Sequence, residues 1–210
     1  HGVGKQVFLN LFNKSGFTNI ELVEEQVEPD PDFPTVAFPN PEESGAMDLA
    51  LAKALEVKAD IVLANDPDAD RSAMAILEPN GSYRVLRGDE VGILIGHFLA
   101  QNRGEELRGK AFANSIVSSS ALSKIANKYG VEFYETLTGF KYLAKINNLA
   151  FGYEEALGYA VDPRNVNDKD GISAALLLAG IAAQLKNEGK TISKYLDEIW
   201  NEIGYFRTSS

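Results

Sequence analysis

Asp66, Asp68 and Asp70 stand at alternate positions in the run Asp66-Pro67-Asp68-Ala69-Asp70-Arg71, one residue after the apolar stretch Ile61-Val62-Leu63-Ala64. Three carboxylates so placed can converge on one small volume at the end of a strand. Like charges that close raise one another's pKa and repel until a cation neutralises them. An all-oxygen donor set selects a hard ion over zinc or copper, so the run reads as a site for one Mg²⁺. An EF-hand also opens D-x-D-x-D, but it needs Gly at its sixth place and a bidentate Glu at its twelfth. This chain has Arg71 and Leu77 there, so calcium buffering does not fit. The competing reading is a solvated acidic turn. Against it, Pro67 stiffens the loop and Arg71 adds a cation of the kind that grips phosphate.

Further residues carry possible chemistry, each with a plainer alternative. Glu154 and Glu155 follow a strand in a glycine-flanked turn, where a carboxylate can accept hydrogen bonds from adjacent sugar hydroxyls or simply face water. Lys169 lies between Asp168 and Asp170, just before Gly171 and an apolar helix that Asp170 is suited to cap. A lysine acting as general base needs its pKa lowered towards roughly 7–8, whereas close carboxylates raise it, so phosphate binding is the other role open to Lys169. Thr138-Gly139 either starts a helix with Thr138 as cap or offers bare amides to an anion or sugar oxygen. Ser118, Ser119 and Ser120 sit between a strand and a helix, as capping residues do. His97 falls on an apolar helix and reads as packed.

The elements that position these residues follow from periodicity. Helical spacing at Val7, Phe8, Leu11 and Phe12, closed by Ser15-Gly16, gives a first helix; Ile20 to Val23 reads as a strand. Five prolines between Glu28 and Glu43 make that stretch loop, with a short strand at Thr35 to Phe38. A helix at about Gly45 to Leu55 precedes the strand that carries the aspartates. Ala73 to Leu77 and Tyr83 to Leu86, joined through Pro79-Asn80-Gly81, read as a hairpin. Asp89 is placed to cap a helix running to Gln101. A polar run, Asn102 to Glu106, then breaks the pattern. Beyond it come a strand at Ala111 to Val117, a helix near Ser120 to Lys128 and a strand at Val131 to Glu135. A helix from about Thr138, a strand at Leu149 to Gly152 and helices at Ile172 to Leu185 and Ile192 to Ile203 complete the chain. Strand and helix alternating twice over predicts stacked α/β units.

The chain has 210 residues, room for two domains of about 100 that each bury a core. With 45% hydrophobic and 24% charged residues, it is ordinarily globular. No apolar run approaches the roughly 20 residues of a membrane span. A net charge of −10 argues against a nucleic-acid surface. No cysteine is present, which removes disulfides and thiolate chemistry and is consistent with the cytoplasm.

The Asp66–Arg71 run also resembles the metal loop of the alpha-D-phosphohexomutase superfamily, the phosphoglucomutases and phosphomannomutases. Four further patches resemble the family's segments in the same order. His1-Gly2-Val3-Gly4 is similar to the end of a His-Gly segment and Phe38-Pro39-Asn40-Pro41-Glu42 to a proline-rich stretch. Leu137-Thr138-Gly139-Phe140-Lys141 resembles a threonine-glycine loop, and Gly152-Tyr153-Glu154-Glu155-Ala156-Leu157-Gly158 a sugar-binding loop. Asp168-Lys169-Asp170-Gly171 is similar to a lysine segment assigned to catalysis.

The resemblance implies a phosphoglucomutase-like α/β fold of two consecutive domains, each a mixed sheet flanked by helices. Residues 1–103 would be the second domain, truncated at its N-terminus, and 104–210 the third. It implies transfer of a phosphoryl group between an enzyme phosphoserine and a sugar phosphate, with a hexose bisphosphate as intermediate and activator, and one Mg²⁺ on Asp66, Asp68 and Asp70. Glu154 would grip the sugar, with Ala156 where the family usually has Ser. Thr138 and Gly139 would border the sugar, Arg71 would reach the transferred group, and Lys169 or Lys141 would handle the proton. The phosphoserine loop and a phosphate clamp belong to the family's first and fourth domains. Neither motif occurs here, so the chain reads as the middle of a longer enzyme, inactive alone. The rivals are a phosphopentomutase of the same family, a metal-dependent phosphatase using Asp66 as nucleophile, and a non-catalytic sugar-phosphate-binding module.

Overall fold

A computed structural model describes residues 1–206 and 208. It is an α/β protein with two sheets flanked by helices. Helix α1 (Lys5–Lys14) and helix α2 (Asp48–Val57) precede strand β1 (Ile61–Ala64), which pairs antiparallel with β2 (Ala73–Leu77); β2 pairs antiparallel with β3 (Tyr83–Val85). The hairpin joint is closed by Glu78 N donating to Ser82 O at 2.8 Å, with Gly81 at φ 85° supplying the left-handed step. Helix α3 (Gly88–Asn102) is buried along most of its length, as its all-round apolar sequence requires.

The second sheet has the order β5-β4-β6-β7, from β4 (Ala111–Ser115), β5 (Glu132–Thr136), β6 (Leu149–Glu154) and β7 (Gly158–Ala160). Strand β4 runs parallel to both neighbours and is buried at every residue, whereas β7 turns back antiparallel on β6. Helices α4 (Ala121–Tyr129), α5 (Phe140–Leu143), α6 (Gly171–Asn187) and α7 (Ile192–Ile203) complete the chain. One continuous apolar core runs from Met47 to Ile199. It takes Met74 and Ile76 from the first sheet, Leu94 and Phe98 from α3, and Phe112, Phe151 and Tyr153 from the second. No described helix is long and apolar enough to cross a membrane.

Several expectations need correction. Ile20 to Val23 and Thr35 to Phe38 form no strand. A strand needs a ladder partner, and among the described residues β1 pairs only with β2; Ile20 instead packs against the small apolar cluster of Phe12, Ala175 and Ala179. Strand β4 ends at Ser115, leaving Ile116 and Val117 exposed, and α5 is a single turn. Asp89 does not cap α3. That end is closed by Glu90, whose carboxylate accepts from the Arg87 amide at 3.0 Å, while Asp89 is buried and turned towards the second sheet. Strand β7 was not expected at all.

Candidate active site

The aspartate loop leaves the end of β1 and is held from three directions. Within it, Asp66 Oδ1 accepts the Arg71 amide at 3.0 Å, and Asn65 donates to Arg71 O at 2.6 Å. On one flank Val3 N donates to Pro67 O at 2.8 Å; on the other, Gly171 at the start of α6 donates to Ala69 O at 3.1 Å. Both contacts need glycine for space. A Cβ on Gly2 would fall 2.4 Å from Pro67 O, and one on Gly171 would fall 2.1 Å from Arg71 O. Ala69, at φ 60°, makes the reversal that lets the three carboxylates converge.

They do converge: one oxygen from each of Asp66, Asp68 and Asp70 lies within 4.8 Å of the others. Burial, reinforced by Asp70 and Asp68, pushes the Asp66 carboxyl above its ordinary pKa, against the lowering pull of the Arg71 amide and guanidinium. Two cations already approach. Arg71 Nε lies 3.5 Å from Asp66 and 4.0 Å from Asp70, and the Lys169 ammonium pairs with the Asp70 carboxylate across 99 positions of sequence. Lys169 reaches it because Asp168 accepts only the Lys169 backbone amide, at 2.8 Å, and Asp170 caps α6, accepting from Ile172 N at 3.1 Å and Ser173 N at 3.4 Å. Among the described residues, neither flanking carboxylate pairs with the ammonium.

The β6–β7 turn joins this loop directly. Arg71 and Gly158 form an isolated antiparallel bridge, and Ser72 N donates to Leu157 O at 3.1 Å. Glu154 therefore ends β6 close to the aspartates, and its carboxylate accepts the Gly139 amide. Thr138 is exposed and gives no side-chain cap to α5, whose N-cap is Gly139 at φ 118°. The capping role read for Thr138 thus fails, while the Gly139 amide does receive a carboxylate. Ala156 is half-buried within the turn. Lys141 stands apart: it is exposed, lies 5.1 Å from the Tyr142 ring centre and makes no ion pair among the described residues. The structure thus brings together Asp66, Asp68, Asp70, Arg71, Lys169, Glu154, Gly139 and the turn carrying Ala156.

The serine run differs in part from its sequence reading. Ser120 offers no side-chain cap to α4; Ser119 Oγ accepts the Ala121 amide at 3.3 Å, and Ser118 binds Glu155. Sequence reasoning missed Ser115 and Ser118 as partners of that carboxylate, and their three-residue spacing at the strand end was the available signal. His97 is buried as expected, with Nδ1 2.7 Å from the Tyr195 hydroxyl and Nε2 3.3 Å from Glu202.

Comparison with known proteins agrees with this geometry. Residues 1–79 match the family model for phosphoglucomutase/phosphomannomutase alpha/beta/alpha domain II, and residues 87–203 match that for domain III. The chain is 49% identical over 208 residues, 98% of its length and 42% of the other's, to a protein named probable phosphomannomutase in Haemophilus influenzae. It is 41% identical over its whole length, and 36% of the other's, to a phosphopentomutase of mouse. A phosphoglucomutase/phosphomannomutase family protein from Burkholderia thailandensis shares the fold at TM-score 0.75 and 19% identity, over 94% of this chain and 40% of that one. The parafusin phosphoglucomutase of Paramecium, in its open form, matches at TM-score 0.64 and 25% identity over 85% of this chain and 32% of its own. The chain thus spans less than half the length of these relatives. Two adjoining domain models covering nearly all of it, on a fold that joins the aspartate loop to the glutamate turn, show that the chain belongs to the phosphoglucomutase/phosphomannomutase family.

Proposed function

We propose that these residues are the metal- and sugar-binding middle of a phosphosugar mutase that interconverts hexose 1- and 6-phosphates through an enzyme phosphoserine and a hexose bisphosphate. The observation that carries this reading is the bridge between Arg71 and Gly158, which places the aspartate loop and the Glu154 turn side by side. Three oxygen donors within 4.8 Å, already drawing two cationic side chains, suit a hard dication, so Asp66, Asp68 and Asp70 would hold one Mg²⁺. When bound, the ion supplies positive charge beside the phosphoryl oxygens.

The chain's own residues do the rest. Arg71 is placed to meet the transferred group or a neighbouring hydroxyl. Glu154 accepts sugar hydroxyls, and Thr138 and Gly139 border the ring. In the transfer, the sugar oxygen gains phosphorus as the serine oxygen loses it, and the hydroxyl proton passes to a base on the chain. Lys169, at the cluster, is better placed for this than Lys141, which would have to leave Tyr142. Ala156 removes the hydroxyl contact that a serine would give, which bears on the choice of sugar. The serine nucleophile and phosphate clamp belong to the first and fourth domains of the same polypeptide, and the whole works in the cytoplasm. The match to mouse phosphopentomutase supports a second reading, a pentose phosphate as substrate.

Calorimetry with Mg²⁺ and Mn²⁺ tests the metal assignment. The 210-residue protein should bind either ion weakly, because in this reading one further oxygen ligand would come from the phosphoserine, and Asp68→Ala should abolish the signal. Unchanged binding by Asp68→Ala would overturn it.

A further inference from the structure

Glu155 is the acidic residue of the turn that the site described above leaves unused. Its Oε2 accepts from Ser118 Oγ at 2.9 Å and from Ser115 Oγ at 3.2 Å; its own amide donates to Ser118 Oγ at 3.1 Å. The two serine oxygens lie 2.8 Å apart and both residues are buried, so the carboxylate and hydroxyls form one compact unit.

The loop that presents these serines is fixed from behind. Ser119 N donates to Asp89 Oδ1 at 2.7 Å, and Ser119 O accepts from Asn114 Nδ2 at 2.8 Å. The same Asp89 oxygen takes the Tyr153 hydroxyl at 2.8 Å. On its other side the turn presses on α3, since a Cβ on Gly88 would fall 1.7 Å from Glu155 O. Ser118 is thus a rigid post rather than a mobile hydroxyl. Glu154, the preceding residue, ends an extended strand, where neighbouring side chains point to opposite faces. Holding Glu155 inward leaves Glu154 directed at Gly139.

We propose that Glu155 is a positioning residue: its carboxylate, bound by Ser115 and Ser118, locks the β6–β7 turn to the β4–α4 loop and so aims Glu154 at the Thr138–Gly139 loop beside Arg71. This rests on the mutase reading only in that Glu154 then meets a sugar; the lock itself does not depend on turnover.

Amide hydrogen exchange in the 210-residue protein tests it, with Gly139 N–H as the reporter of where the Glu154 carboxylate sits. Glu155→Ala and Ser118→Ala should each speed Gly139 exchange by about tenfold or more, the scale of a lost charge-assisted hydrogen bond, while the Leu178 amide in α6 changes by less than about twofold. Glu155→Gln keeps an acceptor oxygen and should restore Gly139 to within about threefold of wild type. Unchanged Gly139 exchange in Glu155→Ala would overturn the proposal. So would equal acceleration at Gly139 and Leu178, which marks a general loss of stability, or a Glu155→Gln effect as large as that of Glu155→Ala. If Glu155→Ala does not fold, Ser118→Ala decides alone. Failure of the mutase reading would appear separately, as absence of turnover in the full-length wild type, and would leave the exchange result standing.

Discussion

Gly171→Ala sets two physical effects against each other. Gly171 is the first residue of α6 and its φ lies outside the left-handed region, so helix propensity alone favours Ala, by up to about 1 kcal/mol in a helix interior. Space argues the reverse. The new Cβ would fall 2.1 Å from Arg71 O, 2.5 Å from Arg71 C and 2.7 Å from Ala69 O, all backbone atoms of the aspartate loop. Backbone cannot step aside as a side-chain tip can, so α6 and the loop must part by about 1 Å to reach ordinary contact. That separation breaks the 3.1 Å bond from Gly171 N to Ala69 O, at about 0.5–1.5 kcal/mol, on top of about 1–3 kcal/mol for overpacking. Steric cost wins, and the net is a destabilisation of about 2–3 kcal/mol. At about 2–4 °C per kcal/mol for a chain of this size, Tm should fall by about 4–12 °C. Thermal denaturation followed by circular dichroism reads this directly, and Mn²⁺ calorimetry on the folded variant should show weaker binding as the loop recedes. A Tm equal to or above wild type would mean that α6 does not clamp the loop and that the close approach is not a constraint.

Three further predictions follow from the site and the core. The 210 residues alone should show no mutase activity on any hexose or pentose phosphate in a coupled assay; metal-dependent turnover by them would overturn the assignment of the nucleophile to another domain. In the full-length enzyme, Glu154→Gln should lower kcat/KM by about 10- to 150-fold, the worth of a hydrogen bond to a carboxylate, and Glu155→Gln by clearly less; an equal or larger loss at Glu155 would put the sugar-gripping register on the wrong residue. Burial holds the His97 imidazole below its ordinary pKa of 6.5, with Lys128 adding to the lowering, while Glu202 and Glu198 pull it up. The neutral form therefore belongs to the fold and the unfolded chain binds the proton more readily, so this contribution is full above 6.5 and is lost as pH falls below it. The urea midpoint should drop between pH 7.5 and 5.5, and by less in His97→Gln; an identical drop in that variant would remove His97 as its cause.

Local chemistry was legible in the sequence because it rests on nearest neighbours. The spacing of Asp66, Asp68 and Asp70 after an apolar strand needs only the pleat and a turn to converge, and the structure joins their oxygens. Asp170 caps α6 as read, and the Pro79-Asn80-Gly81 hairpin forms, because capping and turn geometry are decided within a few residues. Long apolar helices such as α6 and α7 were equally readable. A strand is different, because it exists only if a partner lies beside it. Ile20 to Val23 has the alternation and no ladder, whereas Gly158 to Ala160 has little pattern and pairs with β6.

The order of residues settles the set of chemical groups and the short segments that carry them. Which groups meet follows from how distant elements pack. The polar run Asn102 to Glu106 looked like a boundary, yet α3 before it packs on α4 and β6 after it, and the second family model already begins at residue 87. Lys169 reaches Asp70, Ser118 and Ser115 take Glu155, and Asp89 leaves its expected cap for Ser119 and Tyr153. Each of these pairings spans 30 to 99 positions of chain, where the partner is chosen by which backbones pack closely enough. No local rule of spacing carries that information.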